Sequence, residues 1–441
     1  MTLRGYEILK NAEVVIYDKL VGDGIKAMIP ENALKIGHEV PQKKLQELMI
    51  FHAKNNKRVV RLKGGDAFLF GRGAEEAEEL IKNNIDFEIV PGVSSSISVP
   101  ELAGIPVTHR DYNSGVKIFT AHDKNNLIPN LNNKSDTLIF LMGASRIREL
   151  CENLINSGYA ENTPCAVIEN GSRHDQKIIR GNLKNINSAK SPAIIIIGEN
   201  SKLNLRCKRP LENLKIIVTR PAERACEISK LLRDAGAEVV NLPMIKTEVI
   251  KNSLDNKNIS GYDYLAFTSV TGVRALFEIL KINNRDVREI GNAKIAAVGL
   301  ATADELKNLG LRVDFIPEIF DVENLIKGLS GSGGSGKILM FRADEINTSY
   351  ANENINELKI YKINYVKNIM PENFNIVIFT SASTVRGFIK NYDMNLKQEF
   401  ICVCIGVQTA EECRKYNLKN IKIAERATTH DLYKCVMSCV E

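Results

Sequence analysis

Short apolar, β-branched runs alternate with helix-length stretches along the whole chain. In the first half such runs occupy residues 13–17, 58–62, 87–90, 137–142, 166–169 and 193–198, and in the second half residues 215–219, 238–242, 264–268, 294–298, 337–341 and 376–380. Runs of this length are typical of strands in a sheet that is covered on both faces. The alternation predicts an α/β protein with largely parallel sheets.

A basic, proline-containing segment separates the two series of runs. Residues 201–213 hold four basic side chains, Lys202, Arg206, Lys208 and Arg209, against the single acid Glu212. Because domain boundaries usually fall in polar segments of this kind, this segment is the best candidate for a linker between two units.

The second half contains a short internal repeat. Residues 267–274 and 379–386 both begin with Phe-Thr-Ser and end with Val-Arg. Each predicts a strand that runs into a Ser/Thr N-cap and then a helix. The repeat indicates two similar lobes, each with a hydroxyl-lined turn at the carboxyl end of a strand. Ligands bind at this end of the strands in open α/β sheets.

Composition excludes several classes of protein. The 441 residues are 44% hydrophobic and 25% charged, and the net charge is +6, so disorder and coiled coil do not describe the whole chain. Half of the positive excess lies in residues 201–213, which leaves no basic face for nucleic acid. The apolar runs are far shorter than the ~20 residues of a membrane span, and the start has no signal-peptide core. We therefore expect a cytoplasmic protein without nucleic-acid or membrane partners.

The nine cysteines are an odd number, and none lies in the first 150 residues. This usage fits reduced cytosolic thiols better than a disulfide framework. Cys402, Cys404, Cys413, Cys435 and Cys439 could be metal ligands, but no CxxC pair or paired histidines accompany them. Small buried hydrophobes are the better interpretation, so we expect no metal site.

The strongest local signal is a glycine-rich turn after the run at 58–62. The turn contains Gly64, Gly65 and Asp66, and a helix with acids in its first turn is predicted from about Ala74. Glycines at the end of a strand let a ligand approach the backbone closely. A solvated turn followed by helix-capping acids is the competing interpretation, and composition alone favours it.

Read in order, several segments resemble the uroporphyrinogen-III C-methyltransferase family over about residues 1–203. These segments are 17–21, 58–76, 90–96, 104–112, 141–143 and 169–171. The resemblance implies a bilobal tetrapyrrole-methylase-like α/β unit that forms homodimers. It also implies that S-adenosylmethionine methylates two pyrrole carbons of uroporphyrinogen III, which gives precorrin-2 on the way to sirohaem and cobalamin.

The same resemblance implies roles for individual residues. Asp18 matches the proton acceptor, Arg72 and Glu75 match charged residues that hold or deprotonate the tetrapyrrole, and Arg110 would pair with substrate carboxylates. The positions that match contacts to S-adenosylmethionine are Gly64, Gly65, Asp66, Leu69, Ser94, Ser95, Met142 and Gly171.

Two departures from the family pattern bear on activity. The family opens with a strand and a Gly-x-Gly-Pro-Gly-Asp loop, whereas residues 1–5 here match the helix that follows them. The family's Gly-Lys pair is also absent from residues 37–42, where His38 is the candidate for the proton-donor position. One alternative is therefore a methyltransferase half that is inactive or structural.

The second half resembles uroporphyrinogen-III synthase over about residues 214–441, through segments 215–221, 242–244, 267–273, 297–303 and 379–385. The resemblance implies one lobe of 214–247 with 368–441, a second lobe of 248–367, a connecting linker at 204–213, and cofactor-free cyclisation of hydroxymethylbilane in a cleft. Tyr365 matches a tyrosine that assists departure of the hydroxyl. The candidate substrate contacts are Thr268, Ser269, Ser381, Ser383 and Thr384, and for each of these hydroxyls helix N-capping competes.

The two resemblances belong together because the synthase product is the methyltransferase substrate. The sequence thus predicts tandem α/β units in a bifunctional enzyme of tetrapyrrole synthesis. Synthase activity alone is the enzymatic alternative, and a non-catalytic tetrapyrrole-binding protein is the non-enzymatic one.

Overall fold

The computed structural model describes residues 1–37, 40–113, 115–121, 134–220, 222–255, 257–331, 336–345, 348–393 and 398–440. The chain divides into two compact units, Met1–Pro243 with Lys367–Glu441, and Met244–Val366. Helices alternate with mostly parallel strands in both, so the predicted α/β class is confirmed.

The first lobe is a three-stranded parallel sheet with helices on its faces. Its strands are β1 (Val14–Tyr17), β2 (Leu34–Ile36) and β3 (Val59–Leu62), in the order β2-β1-β3. Its helices are α1 (Leu3–Lys10), α2 (Asp23–Lys26), α3 (Gln42–Lys54) and α4 (Gly73–Lys82). The next helix, α5 (Ser95–Leu102), packs on the second lobe, because its Val99 belongs to the same hydrophobic cluster as Ile139 and Ile168. Strand β1 lies at the centre, and its Val15 and Ile16 are completely buried. The apolar run therefore formed a strand because both of its faces are covered.

The strand predicted at 87–90 is not formed. Residues 85–94 have no assigned strand or helix, and Phe87 and Ile89 are 41% and 40% exposed. Within the described residues, β3 has only β1 as a strand neighbour. A β-branched run becomes a strand only where a neighbouring strand supplies ladder hydrogen bonds, and this run has none.

The second lobe is a five-stranded mixed sheet with helix α6 (Ile147–Asn156). The strands are β4 (Val116–Thr120), β5 (Thr137–Leu141), β6 (Pro164–Glu169), β7 (Lys177–Asn182) and β8 (Ala193–Ile197), in the order β4-β5-β8-β6-β7. Strand β8 is antiparallel to both of its neighbours. Its apolar run is buried on both faces, as its composition predicts.

The described part of residues 214–440 contains ten further strands and seven helices. The strands are β9 (Lys215–Val218), β10 (Glu238–Asn241), β11 (Ile245–Val249), β12 (Tyr264–Phe267), β13 (Lys294–Ala297), β14 (Ile338–Ala343), β15 (Ile355–Tyr365), β16 (Ile376–Phe379), β17 (Ile401–Cys404) and β18 (Ile421–Ile423). The helices are α7 (Ala222–Asp234), α8 (Val270–Ile282), α9 (Leu300–Asn308), α10 (Val322–Gly331), α11 (Ala382–Asn391), α12 (Val407–Lys415) and α13 (Thr429–Met437).

These strands form two sheets. One is wholly parallel, has the order β10-β9-β16-β17-β18 and belongs to the first compact unit. The other has the order β11-β15-β14-β12-β13, in which only β11 is antiparallel, and it makes up the second compact unit. In that unit Phe267 stacks on Phe341 with ring centroids 4.9 Å apart. Each sheet thus places the turns after its parallel strands along one edge.

The segment predicted as a linker is packed against both of its neighbours. The Leu205 amide donates to the Gly104 carbonyl at 2.8 Å, and Arg206 pairs with Glu212 at 2.5 Å. Leu211 is completely buried in the same hydrophobic cluster as Ile216 of β9. These contacts tie the segment to Gly104 on one side and to the β9 sheet on the other.

All nine cysteines are free, and five of them are buried. Burial raises the pKa of the Cys151 thiol to about 11, and burial together with the nearby Cys151 raises that of Cys165 to about 12. Such thiols are unreactive packing groups. No helix in the described ranges is both long and apolar enough to cross a membrane.

Candidate active site

A cavity of about 2840 Å³ lies in the first compact unit. Gly64 and Gly65 from the turn after β3, Ser95 at the start of α5, Met142 after β5 and Gly171 after β6 all line it. Five of the eight residues predicted to bind S-adenosylmethionine thus line one cavity, which also extends to Lys10, Arg233 and Met370. Asp66, Leu69 and Ser94 lie in the same turns but do not line it.

Two glycine turns at the cavity meet backbone to backbone. A Cβ added to Gly92 would lie 2.1 Å from the Gly65 carbonyl oxygen, and Gly65 itself has φ +80°. A Cβ on Gly65 would face the Ser95 backbone nitrogen at 3.6 Å, at the cavity wall. Glycine is therefore required at 92 by close approach and favoured at 65 by its conformation.

The Asp66 carboxylate holds these turns together. It accepts hydrogen bonds from the backbone amides of Phe68 at 2.8 Å, Leu69 at 3.1 Å and Gly92 at 3.0 Å. The bonds from Gly92 and Phe68 keep the pKa of Asp66 below its usual range. This carboxylate is thus occupied by backbone groups of the site.

Asp66→Ala is expected to destabilise the first lobe by about 2 kcal/mol at pH 7, because three amides lose a charged acceptor. Folding lowers the pKa of Asp66. The carboxylate therefore contributes to the free energy of unfolding above its unfolded pKa of about 3.9, and this contribution is lost as the pH falls through the folded pKa. Urea denaturation at pH 7 and pH 3 measures both quantities. Asp111→Ala, whose side chain is 78% exposed, is the control. An equal loss at both pH values would contradict this role.

A buried cluster of charges lies beside the turn. Arg61 of β3 and Lys63 are 9% and 7% exposed, and Glu76 of α4 is 5% exposed. Glu76 accepts from Arg61 at 3.1 Å, from Lys63 at 3.0 Å and from Gln42 at 2.7 Å. Asp18, predicted as proton acceptor, pairs with Arg61 and lies 3.8 Å from Lys63. The negative charges of the two carboxylates, Asp18 and Glu76, therefore balance the positive charges of Arg61 and Lys63.

The pKa of Glu76 results from opposing effects. Burial alone would raise it, but the Arg61 charge and the hydrogen bonds from Gln42 and Lys63 outweigh burial and lower it. Sequence reasoning missed Glu76, Arg61 and Lys63. The available signal was the spacing of Arg61 and Lys63, because cations two positions apart in a strand lie on the same face.

The other candidate residues of the methyltransferase half lie on the surface. Arg72, at φ +56°, precedes α4, and its Nε lies 3.4 Å from Glu75 Oε1. The two side chains are 60% and 53% exposed and do not line the cavity. Arg110 is also exposed, and His38 lies outside the described residues. Their roles stay predictions.

In the second compact unit, the candidate hydroxyls serve the turn after β12. Ser269 Oγ caps α8 by accepting from the Gly272 amide at 3.0 Å, and it lies 3.2 Å from the Tyr361 hydroxyl. Thr268 donates to the Phe341 carbonyl at 3.4 Å. The Tyr365 hydroxyl donates to Glu345 at 2.9 Å.

The matching turn in the first compact unit is built in the same way. Ser381 caps α11 by accepting from the Thr384 amide at 3.3 Å, and its Oγ lies 2.9 Å from that of Ser383. The Thr384 hydroxyl donates to the Ser381 carbonyl at 2.7 Å, and Thr384 is 1% exposed. Helix capping therefore accounts for Ser269, Ser381 and Thr384, as the competing interpretation predicts.

The described ranges contain no group of three or more His, Cys, Asp or Glu side chains able to hold a metal ion. The arrangement at the cavity is instead one of glycine turns, hydroxyls and a buried charge cluster. Glycine turns of this kind let a ligand approach the backbone closely.

Two family models match the chain. The model for tetrapyrrole (corrin/porphyrin) methylases matches residues 1–187, and the model for uroporphyrinogen-III synthase HemD matches residues 227–434. A relative from Ruminiclostridium josui, the porphyrin biosynthesis protein HemD, is 38% identical and covers 97% of this chain and 93% of its own. The chain belongs to the family of tetrapyrrole methylases fused to uroporphyrinogen-III synthase. Both predicted resemblances are thereby confirmed.

Each half of this methylase–synthase fusion also has relatives of its own. The uroporphyrinogen-III C-methyltransferase of Bacillus subtilis strain 168 is 33% identical over 72% of this chain and 70% of its own. A Thermus thermophilus uroporphyrin-III C-methyltransferase structure with S-adenosyl homocysteine is 30% identical, covers 45% of this chain and 91% of its own, and has a TM-score of 0.40. The uroporphyrinogen-III synthetase structure from Helicobacter pylori 26695 is 17% identical, covers 51% of this chain and 99% of its own, and has a TM-score of 0.38.

Proposed function

We propose that the chain performs two consecutive reactions of tetrapyrrole synthesis. Its synthase half cyclises hydroxymethylbilane to uroporphyrinogen III, and its methylase half methylates that product twice with S-adenosylmethionine to give precorrin-2. The observation that carries the proposal is that Gly64, Gly65, Ser95, Met142 and Gly171 all line one cavity. Membership of the fused family supports it further.

The cavity suits S-adenosylmethionine. Its wall at Gly65 and Ser95 is backbone, since a Cβ at 65 would face the Ser95 backbone nitrogen at 3.6 Å. When bound, the cofactor supplies an electrophilic methyl group to a pyrrole carbon, which leaves S-adenosylhomocysteine and a ring that must lose one proton. The protein therefore has to align the two reactants and accept a proton.

Asp18 is our candidate for the proton acceptor. Its side chain is 36% exposed, whereas its partners Arg61 and Lys63 are buried beneath it. Arg61 pairs with this carboxylate and Lys63 lies 3.8 Å from it, so the two cations hold it in place. Arg72, Glu75 and Arg110 are exposed cations and anions that we propose to contact the carboxylates and ring nitrogens of the tetrapyrrole.

The synthase half needs no cofactor in this proposal. The hydroxyl group of hydroxymethylbilane leaves as water after it gains a proton, and the terminal ring closes with inversion. Tyr365 is the proposed donor to the departing oxygen, and its O–H, which donates to Glu345 in this structure, would turn from Glu345 to the substrate. Thr268 and Ser383, together with the capping hydroxyls, are proposed to bind substrate carboxylates.

We further propose a cytoplasmic homodimer that pairs through the methylase half and binds neither nucleic acid nor membrane. The product would serve sirohaem and cobalamin synthesis. Support for sirohaem comes from a relative named siroheme synthase 3 in Aeromonas hydrophila, which is 39% identical over 45% of this chain and 46% of its own.

The test is an anaerobic assay of the full chain with hydroxymethylbilane and S-adenosylmethionine labelled in its methyl group. We expect the type III isomer with two labelled methyl groups. Type III isomer without label would leave only the synthase activity, with a structural methylase half. Tight porphyrinogen binding with neither product would favour a non-catalytic binding protein and contradict the proposal.

A further inference from the structure

Four charged or titratable side chains join the methylase half to the β9 sheet. Lys215 Nζ lies 2.9 Å from Asp23 Oδ2 and 3.7 Å from Glu238 Oε1. Glu238 Oε2 accepts a hydrogen bond from the His174 backbone amide at 2.9 Å and lies 3.0 Å from His174 Nδ1. We call Asp23, His174, Lys215 and Glu238 the interdomain cluster.

The interdomain cluster is largely buried. The exposed fractions of the side chains are 7% for Lys215, 12% for His174, 20% for Glu238 and 24% for Asp23. Helix α2 packs directly on β10, since a Cβ added to Gly24 would lie 3.5 Å from the Val239 carbonyl oxygen. Buried ion pairs with close backbone packing resist rearrangement far more than exposed pairs do.

All four residues of the interdomain cluster line the cavity, and one of them belongs to the turn that holds a predicted cofactor contact. His174 lies in the turn after β6, three residues beyond Gly171, and both residues line the cavity. The turn is tightly folded, with Asn170 and Ser172 at φ +48° and +68°. Glu238 binds both the backbone and the ring of His174, so a carboxylate of the synthase half fixes the position of this turn.

Charge balance explains why each partner is needed. Lys215 faces two carboxylates and also donates to the Glu372 carbonyl at 3.0 Å. Burial would raise the pKa of Glu238, but the His174 hydrogen bonds and the Lys215 charge lower it, so the group is an anion at neutral pH. Removing Glu238 would leave the His174 amide without this acceptor.

We propose that Glu238 and Lys215 of the synthase half are positioning residues for the methylase half, which hold the turn at 170–175 and thereby set the affinity of the cavity for S-adenosylmethionine. This inference rests on the proposed function for the identity of the ligand. It gives the fusion a physical role, because part of the methylase site is held by the other half of the chain.

The test compares full-length wild type with Glu238→Ala and Glu238→Gln. Glu238→Ala should weaken S-adenosylhomocysteine binding, measured by calorimetry, about tenfold, and Glu238→Gln less, since it keeps an oxygen acceptor. Hydrogen exchange of a peptide covering 170–176 should speed up in Glu238→Ala, while synthase turnover should stay within about twofold. Glu161→Ala, which breaks the exposed pair with Lys184, is the control.

Unchanged exchange at 170–176 in Glu238→Ala would overturn the inference, as would faster exchange spread evenly over the methylase half. Unchanged affinity would overturn it too if the wild type binds S-adenosylhomocysteine. If the wild type does not bind this ligand at all, the proposed function fails, and hydrogen exchange still decides whether Glu238 positions the turn.

Discussion

Glu76→Gln is expected to destabilise the first lobe by about 3 to 5 kcal/mol, which is a large part of the stability of a domain. The substitution removes a carboxylate that is 5% exposed and that accepts from Arg61, Lys63 and Gln42. Arg61 and Lys63 would then share only Asp18, so one buried positive charge loses its counter-charge. Hydrogen exchange of peptides from β3 and α4 in increasing urea measures the loss.

The neighbouring residue provides a matched control. Glu75 has the same side chain on the same helix but is 53% exposed, and its partner Arg72 is 60% exposed. Glu75→Gln should change stability by less than about 0.5 kcal/mol. If Glu75 contacts the tetrapyrrole as proposed, this variant should instead raise the KM for uroporphyrinogen III. Equal stability losses in both variants would contradict the role of the buried cluster.

The Glu76 effect should also depend on pH. The folded pKa is lowered, so the wild-type carboxylate stabilises the fold above the unfolded value of about 4.3, and this contribution is lost as the pH falls through the folded pKa. The difference between wild type and Glu76→Gln should therefore be full at pH 7 and should shrink below about pH 4.

Sequence pattern revealed most of the internal strands and missed most strands at sheet edges. Of the seven described strands that the apolar runs did not predict, β2, β4, β7, β11 and β18 lie at an edge, whereas β15 and β17 are internal. An edge strand such as Lys177–Asn182 has partly exposed faces and polar residues, so it lacks a continuous apolar run. The run at 87–90 shows the converse, because an apolar run without a partner forms no strand.

The site was predictable where function imposes a local motif and not where it depends on distant contacts. The turn at 64–66 was visible because the positive φ of Gly65 favours glycine there. Glu75 and Glu76 are adjacent in the sequence, and only packing shows that the second is buried. The bond between His174 and Glu238 joins residues 64 positions apart, which no local pattern encodes.

The second large effect is expected from Gly92→Ala, which should weaken S-adenosylhomocysteine binding on the order of 100-fold. The new Cβ would lie 2.1 Å from the Gly65 carbonyl oxygen and 3.0 Å from Asp66 Cα, and both contacts are backbone atoms that cannot rotate away. The two turns must therefore separate, which displaces Gly65 from the cavity wall and stretches the Asp66 bond to the Gly92 amide.

Gly22→Ala is the control for this substitution. Gly22 lines the same cavity, its φ of −65° suits any residue, and no atom lies within 4 Å of its added Cβ. Gly22→Ala should bind S-adenosylhomocysteine within about twofold of wild type. Synthase turnover should persist in both variants, because the substituted turns belong to the methylase half. Calorimetry and the isomer assay measure these outcomes, and near-normal binding by Gly92→Ala would show that the junction of the two turns does not hold the cofactor.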